Sequence, residues 1–142
     1  MNKQLFFKFP QKLVYSNEDY YVSPSNNEAF NLINTWPKWI KKIVNIFGPK
    51  GSGKTHLISI LKSKTPTIEI DSKKIDENII LKFKSIKTLI IENLSEKVSE
   101  HLLFSIYNLA LQDNKYLLIT SEKPINKYNF KLLDLKSRVN SS

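Results

Sequence analysis

All three glycines of this 142-residue chain fall within eight residues, Gly48-Pro49-Lys50-Gly51-Ser52-Gly53-Lys54-Thr55. Every other turn must be made without glycine, so this loop is where the backbone needs conformations that a Cβ disfavours. The stretch fits, without a mismatch, the phosphate-cradling pattern of a glycine, four residues, then Gly-Lys-Ser/Thr. Its flanks supply the context that the pattern requires. Lys42–Phe47 is apolar and β-branched and reads as a strand ending at Gly48. From Thr55, the residues His56, Leu57, Ile58, Ile60 and Leu61 read as a helix running to about Lys64. A tight loop between strand and helix aims successive N–H groups at one point, and the helix dipole adds positive potential there. Gly51 and Gly53 would let the backbone approach a phosphate. Lys54 would reach the β- and γ-phosphates, and the Thr55 hydroxyl would hold Mg²⁺. Gly48 to Thr55, with His56 packing or capping beside them, is therefore the expected site for ATP or ADP with Mg²⁺.

The rest of the pattern places that loop in a fold. Ser25-Asn26-Asn27-Glu28 forms a capping box, and Ala29, Leu32, Ile33 and Trp36 follow at helical spacing before Pro37. Thr67–Asp71 alternates as a short strand, and Ile75–Phe83 reads as a helix. Thr88–Ile91 is a wholly apolar strand. Ser95 is expected to cap a helix to about Gln112, with Val98, Leu102, Ile106 and Leu109 inward. Tyr116–Thr120 is another buried strand, and a short helix covers about Phe130–Ser137. Strands alternating with helices predict a layered α/β fold around a parallel sheet.

Composition narrows the class. The length suits one domain, 16–142, preceded by an extended arm at 1–15. No run approaches the ~18 apolar residues of a membrane span, and no signal peptide is visible. Cysteine is absent, which rules out disulfides and thiolate metal sites and fits an expected cytoplasmic location. The net charge of +9 comes from 21 lysines and a single arginine, Arg138, against 13 acidic residues. The lysines are dispersed, so a solvated surface and a DNA-facing patch both account for them.

Three further positions carry chemistry. Thr88-Leu89-Ile90-Ile91-Glu92 is an apolar strand ending in a carboxylate, where phosphate-loop NTPases support Mg²⁺. Asn93 follows; an amide can position water but cannot deprotonate it, so the chain's own ATPase activity is expected to be weak or absent. A plain buried strand with a polar exit is the competing reading. Tyr116–Ser121 ends in the hydroxyls of Thr120 and Ser121, either a γ-phosphate-facing pair or a solvated strand end. Arg138, alone in a lysine-rich chain, offers the planar fork that grips phosphate oxygens, unless it is simply a surface residue. His56 and His101 stand alone and indicate no metal site.

Taken in order, these motifs resemble the DnaA/Hda-type AAA+ family over roughly residues 3–140. Tyr20-Tyr21-Val22-Ser23-Pro24-Ser25-Asn26, Trp36-Pro37-Lys38-Trp39, the phosphate loop followed by His56-Leu57, Leu103-Phe104, Tyr107-Asn108-Leu109, Leu117–Thr120 and Asp134-Leu135-Lys136-Ser137-Arg138-Val139 carry the likeness. The N-terminal Gln4-Leu5-Phe6-Phe7 sets it on the Hda side, since it looks like the arm by which such proteins dock on the DNA sliding clamp. The resemblance implies a phosphate-loop NTPase of three layers, the AAA+ large subdomain. It implies ADP or ATP on Gly48–Thr55, Glu92 assisting Mg²⁺, and Thr120 or Ser121 sensing the γ-phosphate. It also implies Arg138 acting as a finger on ATP held by the initiator DnaA. The expected partners are the polymerase III sliding clamp, DnaA and, through the clamp complex, DNA. An inert nucleotide-binding adaptor and a helicase-loading or DNA-binding protein are the alternatives. The family's fifth strand and helical lid have no counterpart here, so the phosphate-loop strand is expected at a sheet edge, open or covered by the N-terminal arm or a partner.

Overall fold

The computed structural model describes residues 19–22, 33–37, 42–49 and 53–140. The arm with Gln4, Leu5, Phe6 and Phe7, the capping box at Ser25–Glu28, and Lys50, Gly51 and Ser52 of the loop lie outside them.

Five parallel strands form one sheet: β1 (Asp19–Val22), β2 (Ile43–Phe47), β3 (Thr67–Asp71), β4 (Thr88–Glu92) and β5 (Tyr116–Ser121), in the order β1-β2-β5-β4-β3. Among the described residues, the helices α1 (Lys54–Lys64), α2 (Glu77–Lys84), α3 (Glu100–Gln112) and α4 (Leu133–Asn140) connect or follow them. Parallel pairing needs crossovers, and helices covering both faces explain why β2, β4 and β5 read as continuous apolar runs. Successive side chains alternate between two cores. On one face Ile43, Leu89, Ile91, Leu117 and Ile119 pack against Phe83 of α2, Leu103, Ile106 and Tyr107 of α3, and Leu135 and Val139 of α4. On the other, Val44, Ile46, Ile90 and Leu118 pack against Leu57, Ile58 and Leu61 of α1 and against Ile33. Each such fully buried aliphatic side chain stabilises the fold by about 1.5–3 kcal/mol. The three-layer phosphate-loop architecture expected from the sequence is thus present.

Three differences from the expected elements have local causes. β2 is not an edge among the described strands: β1 pairs with it in parallel, Asp19 opposite Ile43 through Val22 opposite Ile46. The Tyr20-Tyr21-Val22 stretch thus takes up the backbone groups that β2 would otherwise leave unpaired. The helix expected from Ser95 begins at Glu100. The Ser95 hydroxyl instead accepts from the Lys97 N–H at 3.2 Å and closes a turn, a competing use that serine offers the backbone. The inward residues of α3 are accordingly Leu103, Ile106, Tyr107 and Ala110, with Leu102 and Leu109 half-buried. The last helix starts at Leu133 rather than near Phe130. Its first turn is capped from α3: the Glu100 carboxylate accepts from the Lys131 N–H at 2.9 Å and the Leu132 N–H at 2.7 Å.

Among the described residues no helix is long and apolar enough to cross a membrane.

Candidate functional site

The C-terminal ends of β2, β5, β4 and β3 lie side by side, so whatever follows each strand meets along one edge. In open α/β sheets this edge is where ligands bind. A cleft of about 1180 Å³ opens there, lined by Gly53, Lys54 and Thr55 from the phosphate loop and α1, and by Asp71 and Lys73 after β3. Asn93 and the following turn, and Ser121, Glu122 and Lys123 after β5, supply the rest, with Tyr128 on the rim.

The phosphate-loop end is built for an anion. Gly53 has φ 102°, a left-handed conformation that glycine adopts without steric cost. It precedes α1 with no side-chain cap and no acidic residue in the first turn, so the helix dipole at that end is not offset locally. Lys54 is partly buried. Its ammonium donates to the carbonyl oxygens of Gly48, Pro49 (3.4 Å) and Ser121 (3.3 Å). Burial lowers its pKa, and the nearby Glu122 charge partly restores it. Thr55 is exposed at the cleft, whereas His56 is exposed but does not line it. The Gly48 N–H donates to the Ser121 carbonyl at 3.0 Å, fixing the start of the loop on β5. An ammonium held over the loop, an uncapped helix N-terminus and a Thr hydroxyl in one cleft fit a nucleoside phosphate, and Thr55 fits a ligand of its Mg²⁺.

Asn45 organises the opposite wall. It is fully buried on the phosphate-loop strand, in a place that pattern alone assigned to an apolar residue. Its amide donates to Ile119 O at 3.0 Å and Ser121 Oγ at 2.9 Å, and its oxygen accepts from the Ile125 N–H at 2.8 Å. It therefore brackets the Glu122-Lys123 turn, whose side chains line the cleft. Ser121 Oγ in turn donates to Lys123 O at 2.6 Å. The expected γ-phosphate sensors are accordingly committed inside the fold. Thr120 is buried and its hydroxyl accepts from the Asn93 N–H at 3.0 Å.

Glu92 and Asn93 part company. Glu92 does not line the cleft; it lies on the α1 face beside Glu69 and Lys62. Its pKa is pushed up to about 7 by a hydrogen bond with Glu69, by burial and by the Glu69 charge. The same hydrogen bond, with the Lys62 ion pair at 2.8 Å, lowers that of Glu69. Below about pH 7 Glu92 is the protonated partner and donates to the Glu69 carboxylate. Asn93 does line the cleft, at φ 59°. Three bonds hold it: its N–H donates to Thr120 Oγ1, its carbonyl accepts from Ser72 Oγ at 2.8 Å, and its side-chain amide donates to Asp71 Oδ2 at 3.2 Å; the next residue, Leu94, donates its N–H to Thr120 O at 2.9 Å.

Sequence reasoning missed Asp71, Lys73, Glu122 and Lys123. Asp71 is the last residue of β3 and the others sit one or two residues beyond a strand end, so the shared C-terminal edge of a parallel sheet was the signal that would have found them. The backbone of Arg138 lies in α4.

No protein-family model matches the chain. The sequence is similar to the chromosomal replication initiator protein DnaA of Borreliella afzelii (strain PKo), 29% identical over an alignment covering 93% of this chain. The chain spans about a third (33%) of that relative's length. It is a distant relative of a DnaA replication initiator. The fold is similar to the solution structure of protein NMB1076 from Neisseria meningitidis, with a TM-score of 0.53, 18% identity, and coverage of 98% of this chain and 91% of that one.

Proposed function

We propose that this chain is a nucleotide-binding AAA+ regulator of replication initiation, of the DnaA/Hda type. The observation that carries the reading is the cleft itself: Lys54, Thr55 and the uncapped start of α1 face one space at the C-terminal edge of a parallel sheet. The similarity to a DnaA over nearly the whole chain supports placing that site in replication control. ATP or ADP would bind through the phosphate-loop amides and Lys54, with Thr55 toward Mg²⁺. Gln4, Leu5, Phe6 and Phe7 would dock in the peptide groove of the sliding clamp, Leu5, Phe6 and Phe7 as its apolar anchors and Gln4 through its amide. Arg138 would enter the nucleotide site of bound DnaA–ATP, where an arginine supplied in trans is worth ~10³–10⁵ in rate.

The test mixes the full chain with clamp loaded on DNA and with DnaA–ATP, and follows phosphate release. The reading predicts acceleration that Arg138→Ala abolishes and that a clamp-groove peptide competes away. Acceleration unchanged by Arg138→Ala would refute the finger. Clamp and DnaA capture with no acceleration would make the chain an inert adaptor.

A further inference from the structure

Asn93 lines the cleft, where its amide can orient a water but cannot take a proton from it. The structure supplies a carboxylate nearby. Three carboxylates line the cleft: Asp71, Glu96 and Glu122. Glu96 is a largely exposed side chain paired loosely with Lys123 at 3.8 Å. Glu122 acts on the Lys54 ammonium. Asp71 alone is joined to Asn93, through the 3.2 Å bond from Asn93 Nδ2. Asp71 pairs with Glu92 at the last rung of β3 and β4, and Asn93, which follows at φ 59°, brings its amide to the Asp71 carboxylate.

We infer that Asp71 is the carboxylate that receives the proton of the water attacking the γ-phosphorus of ATP bound in this cleft, with Asn93 orienting that water. This rests on the nucleotide-binding reading above, and it extends that reading by giving the chain a hydrolytic activity of its own. In the step, the water oxygen bonds to the γ-phosphorus as the bond from phosphorus to the β,γ-bridging oxygen breaks. Asp71 takes the water proton and returns it to the phosphate product; ADP leaves.

Three features of the site suit this role. Asp71 is accessible from the cleft, so it can meet a water that also reaches the phosphates. It is held rather than free: Oδ1 accepts from the Lys73 N–H at 3.0 Å and Oδ2 from Asn93, leaving further lone pairs for the water. Those two bonds also lower its pKa and keep it in the proton-accepting form at neutral pH. A weakly basic carboxylate is adequate, because in a loose phosphoryl-transfer transition state the nucleophile's proton departs late and placement dominates. The Asn93 main chain is fixed by its bonds to Thr120 and Ser72, and its side chain is turned onto Asp71 by the Nδ2 bond.

The experiment compares wild type, Asp71→Asn, Asp71→Ser and the exchange variant Asp71→Asn/Asn93→Asp in full-length chain with Mg²⁺. Binding of a fluorescent non-hydrolysable ATP analogue, single-turnover hydrolysis of ATP and the ATP:ADP ratio of retained nucleotide are measured. Serine keeps an acceptor for the Lys73 N–H, so Asp71→Ser preserves the turn if asparagine does not. Both single variants are expected to bind the analogue at least as tightly as wild type, to hydrolyse ATP about 100-fold or more slowly, and to retain ATP. The exchange variant, with the carboxylate at 93, is expected to recover hydrolysis at least tenfold over Asp71→Asn; recovery of stability or analogue binding without hydrolysis would mark the Asp71–Asn93 bond as structural and overturn the inference. Wild type that binds the analogue but holds ATP unhydrolysed overturns the inference and leaves the binding reading intact, as does a single variant that hydrolyses at the wild-type rate. Wild type that binds no analogue overturns the binding reading, and this inference with it.

Discussion

Replacing Asn45 by alanine tests whether one buried amide holds the β5 side of the cleft in place. Asn45 satisfies three groups at once: Ile119 O, Ser121 Oγ and the Ile125 N–H. Ile125 is fully buried, so its N–H has no water to turn to; a buried donor left unmet costs about 1–3 kcal/mol. The two lost donations to Ile119 and Ser121 add about 0.5–1.5 kcal/mol each, although Ser121 keeps Lys123 O as an outlet. The sum, about 2–6 kcal/mol, is a large part of the ~5–15 kcal/mol that a domain has. Urea unfolding followed by circular dichroism should show the midpoint falling with the slope unchanged. Hydrogen exchange should show the Ile125 amide losing its protection. Because the Glu122-Lys123 turn hangs between Ser121 and Ile125, nucleotide affinity should fall as well. A loss under about 1 kcal/mol, with Ile125 still protected, would refute this account of the wall.

Two further predictions concern the neighbouring elements. Glu92 carries a folded-state pKa of about 7 against an ordinary 4.5, so between those values the folded chain binds more protons than the unfolded one and stability falls as pH rises. Glu92→Gln, which keeps a donor toward Glu69 without the titration, should flatten that fall in denaturant curves taken from pH 5 to 8; an unchanged slope would contradict the raised Glu92 pKa. Glu100→Ala should cost about 1 kcal/mol by uncapping α4 and should speed exchange at the Leu132 amide, while Glu100→Gln, which keeps one acceptor, should lose less.

The sheet was legible because its strands are buried on both faces and therefore announce themselves as apolar runs: Thr88–Glu92 and Tyr116–Ser121 read almost to the residue. The phosphate loop was legible because glycine occurs nowhere else. Asn45 was not, since a single polar residue within an apolar strand reads as noise until its three partners, at least 74 positions away, are seen. Ser95 misled because serine serves turns as readily as helix caps. Thr120 and Ser121 were found in the right place but with their hydroxyls committed within the fold. That commitment depends on the β4–β5 and β2–β5 register and leaves no local trace. Asp71 was hidden for the same reason: its neighbour in space is Asn93, across a strand boundary.

The most direct test of the central claim is a calorimetric titration of the full chain with ATP and with ADP, with and without Mg²⁺, alongside Lys54→Ala. One nucleotide per chain, with affinity lost by about tenfold or more in the variant, is the predicted result. Heat of dilution alone for both nucleotides, from a chain whose circular dichroism shows the folded α/β signature, would contradict it.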